Sequence, residues 1–157
     1  MVWKPSVVVF TPAAESPGEL SALRSHFEVL TARTALSAGL ALLKAGARAL
    51  IIDAGDEPGR AALQIHFFRN CIENREHSPV SVLMIVNSRE DSVRELGLRC
   101  GADVVLARSF TGDELAKAVR ETVQHASEQN GPLHFARSAA REVRQPHLDR
   151  DHLHSRR

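Results

Sequence analysis

Short apolar runs of β character alternate along this chain with longer segments whose apolar residues recur at helical spacing. Val7-Val8-Val9-Phe10 reads as a buried strand that ends at Thr11-Pro12, because proline lacks the N–H a ladder needs and disfavours helix in its predecessor. Ser16-Pro17-Gly18-Glu19 carries a candidate N-cap, a proline at the first helical position and an acid three residues after the cap, so a helix begins there. Leu20, Leu23 and Phe27 continue it. Residues 27 to 31 form a second strand. Leu36, Leu40 and Leu43 mark a second helix that Gly46 terminates. Residues 49 to 52 form a third strand, with Asp53 at its carboxyl end, and Gly55 to Gly59 is a turn. Ala61, Ile65, Phe68 and Ile72 give the core face of a third helix, widened by Leu63, Phe67 and Cys71. Residues 80 to 86 form a fourth, continuously apolar strand. Val93, Leu96 and Cys100 lie on a fourth helix, and residues 104 to 106 form a fifth strand. Leu115, Val119, Thr122 and Ala126 stripe a fifth helix.

Right-handed crossovers turn such a (βα)5 series into an α/β fold, a doubly wound, flavodoxin-like parallel sheet in the order 2-1-3-4-5. Function in that architecture gathers at the carboxyl ends of the strands, here Thr11-Pro12, Asp53, Val86-Asn87 and Ala107-Arg108. The regular alternation stops after about residue 127. Residues 128 to 157 carry 6 Arg against 4 acids and half of the chain's 8 His, and read as a basic tail with at most a short helix around residues 135 to 144.

Composition adds limits rather than a function. The chain has 157 residues, 43% hydrophobic and 25% charged, the profile of one globular unit. Its formal net charge of +1 gives no concentrated basic surface for nucleic acid or an anionic membrane. The apolar run after Trp3 is too short for a signal-peptide core or a membrane span, so a cytoplasmic protein is expected. Cys71 and Cys100 sit in helical patterns without ligand spacing and are expected to be free thiols.

Taken in order, the (βα)5 pattern, the Asp closing the third strand, and Gly101-Ala102-Asp103 ahead of Arg108-Ser109-Phe110 resemble the receiver domain of two-component response regulators. The resemblance covers roughly residues 6 to 126, and the spacings agree with it: 33 residues from Asp53 to Val86 and 22 from Val86 to Arg108. It implies that Asp53 occupies the phosphoacceptor position. An acidic pair at the end of the first strand would help such an Asp hold Mg²⁺, a cation that wants hard oxygen ligands in octahedral geometry. Thr11-Pro12 stand there instead. The position of the switch hydroxyl is Val86, the switch aromatic is Val105, the invariant lysine is Arg108, and Ser109 follows where the family has proline. Asp53 is left in a degenerate pocket of Thr11, Pro12, Val86, Asn87, Arg108 and Ser109, where it can pair with Arg108 as a structural carboxylate.

The expectation is therefore a degenerate receiver, a non-enzymatic module of bacterial signalling with no cofactor. It works without phosphorylation, by binding a protein partner or a second copy. By resemblance the docking face comprises the fourth helix, fifth strand and fifth helix, with Arg94, Arg99, Lys117 and Arg120 as polar contacts. Two alternatives stand beside it. One is a phospho-receiver whose Asp53 uses Mg²⁺ with a displaced ligand such as Glu15, Asp56 or Glu57. The other is a weak nucleic-acid binder acting through Arg137, Arg141 and Arg144 of the tail. His147, Asp149, Asp151, His152 and His154 are dense enough to suggest a metal, but no fixed scaffold accompanies them, and a solvated tail is the expectation.

Overall fold

The computed structural model describes residues 3–11, 20–73 and 79–129. Pro12, Glu15, the helix start expected at Ser16, and the Arg, His and Asp residues of the tail lie outside the described residues. The strands are β1 (Ser6–Phe10), β2 (Glu28–Ala32), β3 (Ala49–Gly55), β4 (Ser81–Val86) and β5 (Val104–Ala107). The helices are α1 (Leu20–His26), α2 (Ala35–Ala45), α3 (Pro58–Glu73), α4 (Asp91–Arg99) and α5 (Gly112–Gln129). All strand pairs are parallel and the order is β2-β1-β3-β4-β5, the topology expected from the alternation.

Strand alternation splits the core between the two faces of the sheet. Val8 and Phe10 of β1 join Leu50, Ile52, Val82 and Met84 under α2 and α3, where Phe10 meets Phe68 edge to face at 6.1 Å. Val7 and Val9 join Ile51, Leu83 and Ile85 under α1 and α5, against Leu20, Leu23, Leu115 and Val119. A central strand covered on both faces has to be apolar at every position, which explains the unbroken runs in β1 and β4. Each such side chain contributes about 1.5–3 kcal/mol on burial.

Local signals place the helices. Thr34 caps α2 through its hydroxyl, which accepts the Ser37 N–H at 3.1 Å, while the Ser37 hydroxyl accepts the Thr34 N–H at 3.2 Å. Gly46 closes the helix in the left-handed region at φ 59°. Thr111 and Glu114 form the same reciprocal arrangement at α5.

Several boundaries and faces differ from the sequence reading. Phe27 is a buried residue preceding β2, not its first residue. β3 continues to Gly55, with a register shift between Asp53 and Gly55, and α3 starts at Pro58, so the expected turn is shorter. On α2 the buried residues are Ala38 and Leu42, while Leu36, Leu40 and Leu43 face outward. On α3 Leu63 and Phe67 are exposed and do not widen the core face. In α4 the buried residue is Gly97, and Leu96 lies at the surface. The reason is close approach: a Cβ on Gly97 would lie 2.7 Å from Val105 Cγ2 and 2.8 Å from Met84 Sδ. The helix rests on the sheet through a residue that has no side chain.

Candidate functional site at the carboxyl ends of the strands

Parallel strands deliver Thr11, Asp53, Val86 with Asn87, and Arg108 to one edge of the sheet. Phe10 pairs with Ile52, so Thr11 and Asp53 follow as the next residues of adjacent strands. Val86 pairs with Gly55 on one side and Ala107 on the other. The ladder continues past the strand ends, since the Asn87 N–H donates to the Gly55 carbonyl (3.1 Å) and the Arg108 N–H to the Val86 carbonyl (2.8 Å). The backbone thus fixes Asn87 and Arg108 beside Asp53.

Arg108 grips Asp53 through both guanidinium nitrogens. Its Nη1 donates to Asp53 Oδ1 at 3.0 Å and its Nη2 to Oδ2 at 2.6 Å. This forked geometry suits arginine, whose planar donors match the two carboxylate oxygens. The same Nη1 donates to Asn87 Oδ1 at 2.8 Å, and the Asn87 amide donates to Asp56 Oδ1 at 2.8 Å. Asp53 Oδ1 also accepts the Gly55 N–H at 3.1 Å. The Asp53 side chain is 9% exposed and that of Arg108 29%, so the pair is shielded on its acidic side and open to water on its basic side.

The remaining pocket residues offer little to a phosphoryl group. Thr11 is buried, and its hydroxyl has no hydrogen-bond partner among the described residues. Val86 is buried and purely apolar. Ser109 has φ 106°, a region L residues rarely adopt, and its hydroxyl donates to the Arg108 carbonyl (2.6 Å) while accepting from the Arg89 guanidinium.

The Mg²⁺ that the receiver resemblance implies does not fit this donor set. Both oxygens of Asp53 are held by a guanidinium, Asp56 Oδ1 is engaged by Asn87, and Thr11 supplies one neutral hydroxyl. Among the described residues no three His, Cys, Asp or Glu side chains group closely enough to hold a metal ion. A dication at Asp53 would have to displace a cation already bound there.

The expected docking residues lie on two helices. Arg94 and Arg99 are five residues apart on α4 and therefore on different sides of it, whereas Lys117 and Arg120 share a face of α5. Lys117 lies 3.8 Å from Glu121 in an exposed pair worth about 0.3–0.5 kcal/mol. Val105 is half-buried against the core under α4. Cys100 is a half-buried free thiol, and no helix among the described residues is long and apolar enough to cross a membrane.

Two polar links escaped the sequence reading. Asn87 to Asp56 joins residues 31 positions apart, and neither carries a motif. Arg69 of α3 donates to the Gly101 carbonyl (2.7 Å), the Val80 carbonyl (3.1 Å) and Asp103 Oδ2 (2.6 Å), and Asp103 Oδ2 also accepts the Val82 N–H at 2.8 Å. This staple ties α3 to the amino ends of β4 and β5. The Gly-Ala-Asp segment was visible in sequence, but its arginine partner was one of many surface cations.

No family model matches the sequence, and no curated protein matches it either. Solved structures do. A response regulator from Thermotoga maritima superposes with a TM-score of 0.66 at 17% identity, covering 78% of this chain and 99% of that one. This chain has the receiver fold. A receiver domain from Bermanella marisrubri matches with a TM-score of 0.61 at 20% identity, over 77% of this chain and 99% of that one. The chemotaxis response regulator CheY4 of Vibrio cholerae matches with a TM-score of 0.61 at 18% identity, over 76% and 99%. In this fold Asp53 lies at the carboxyl end of a central strand, with both of its carboxylate oxygens held by Arg108.

Proposed function

We propose that the chain is a protein-interaction module of bacterial two-component signalling, acting in the cytoplasm without phosphorylation and without catalysis of its own. The observation that carries this reading is the forked Arg108–Asp53 pair, which occupies both oxygens of the acceptor-position carboxylate. A switch needs two states and a ligand that prefers one of them. Val86 has no hydroxyl to follow a phosphoryl group, and Val105 is held among apolar neighbours instead of carrying a mobile aromatic ring. Gly97 lets α4 sit directly on Met84 and Val105, which supports a single resting position for that helix. The domain then presents one constant surface, and α4, β5 and α5 form the docking face for a protein partner. Arg94 and Arg99 of α4 and Lys117 and Arg120 of α5 are the cations that would address acidic groups of the partner.

Amide NMR with Mg²⁺ and beryllofluoride, an acyl-phosphate mimic, tests the constancy of this surface. The expected result is unchanged resonances over residues 91–99 and 104–107. Shifts there that disappear in Asp53→Ala would overturn the reading.

A further inference from the structure

The sheet is covered on both sides, yet one helical face outside the carboxyl-end site is left apolar and open. Leu36 (75% exposed), Leu40 (44%) and Leu43 (64%) form a stripe along α2 at i, i+4 and i+7. Leu63 (73%) and Phe67 (57%) stand one turn apart on α3. Between the two helices runs a groove of about 300 Å³, floored at Gly39, where the missing side chain leaves Phe68 as the nearest wall. Every described residue lining it is apolar. By contrast, Leu96 and Leu98 on α4 are less exposed and are interleaved with Arg94, Glu95 and Arg99.

We propose that this α2–α3 face is where two copies of the chain associate. The inference goes beyond the signalling role proposed above and does not rest on it. Three arguments favour a second copy as the occupant. The first is area: with roughly 150–200 Å² for each fully exposed large apolar side chain, the five residues offer on the order of 500 Å². A standard interface takes about 800 Å² from each partner, and homodimer interfaces are about 65% apolar, so about 500 Å² of apolar surface per copy is what a stable dimer needs. The second is self-complementarity. A groove of this kind accepts a helix presenting anchors at i, i+4 and i+7, and α2 presents that stripe on the same face as the groove. A two-fold interface requires the same patch on both subunits, able to give and receive at once. The third is the absence of charge in the groove lining, which suits a permanent apolar contact better than a partner selected by polar groups.

Analytical ultracentrifugation of the full chain across a concentration series tests the proposal, with Leu36→Glu and Phe67→Ser as variants. Both positions are exposed, so the fold is retained, and should Phe67→Ser misfold through its ring contact with Phe68, Leu36→Glu still decides. In a two-fold contact each substitution occurs twice. The expected result is a monomer–dimer equilibrium for the unsubstituted chain that either variant weakens at least about tenfold, with Leu98→Glu on α4 leaving it unchanged. A monomer at every concentration overturns the proposal and leaves the groove to another protein or to residues 130–157. A dimer that Leu98→Glu breaks and Leu36→Glu does not also overturns it.

Discussion

Asp53 and Arg108 are unequal members of their pair. The carboxylate is nearly enclosed, whereas almost a third of the arginine side chain meets water. Removing the arginine strands a shielded charge, while removing the carboxylate leaves a guanidinium that can turn to solvent. Arg108→Met is therefore expected to destabilise the fold by about 2–4 kcal/mol, set below the roughly 3–5 kcal/mol of a fully buried pair because the site is partly wet. Asp53→Ala should cost about half as much or less. Urea unfolding of the two variants measures this order, and equal losses would contradict it. Asp53 was legible in the sequence because a strand end leading into a turn marks it. The contact between Asn87 and Asp56 was not, since it lies beside the register shift between Asp53 and Gly55, which no local pattern announces.

Among the elements, the strands were legible and the helix faces less so. β1, β3 and β4 are bounded apolar runs, and burial on both faces of the sheet leaves no choice of side. α2 leaves a choice, since Leu36, Leu40 and Leu43 match the helical period as well as Ala38 and Leu42 do. Only the packing decides, and it buries Ala38 and Leu42, while Gly39 lets α2 approach Phe68 of α3. α4 shows a related effect: periodicity weights large side chains, whereas the buried residue of this helix is Gly97, with Val93 packed beside the core. Gly97→Ala places a methyl group inside the Val105 and Met84 side chains. The helix-propensity gain of up to about 1 kcal/mol is expected to be outweighed by overpacking of about 1–3 kcal/mol. Thermal unfolding should show a lower midpoint, and an unchanged or raised one would mean that α4 can lift from the sheet without loss.

At the scale of the whole molecule, the alternation of strands and helices was enough to give the sheet order, because short crossovers of one hand leave few alternatives. That topology brings residues from positions 11, 53, 87 and 108 to one edge, where Arg108 pairs with Asp53. Among the described residues nothing covers the apolar α2–α3 face. The central proposal is that Asp53, held by Arg108, does not accept a phosphoryl group. Its most direct test is the intact mass of the protein after incubation with acetyl phosphate and Mg²⁺, run beside Asp53→Ala. The account predicts the same unmodified mass for both proteins. One added phosphoryl group on the unsubstituted chain, absent from Asp53→Ala, would contradict it.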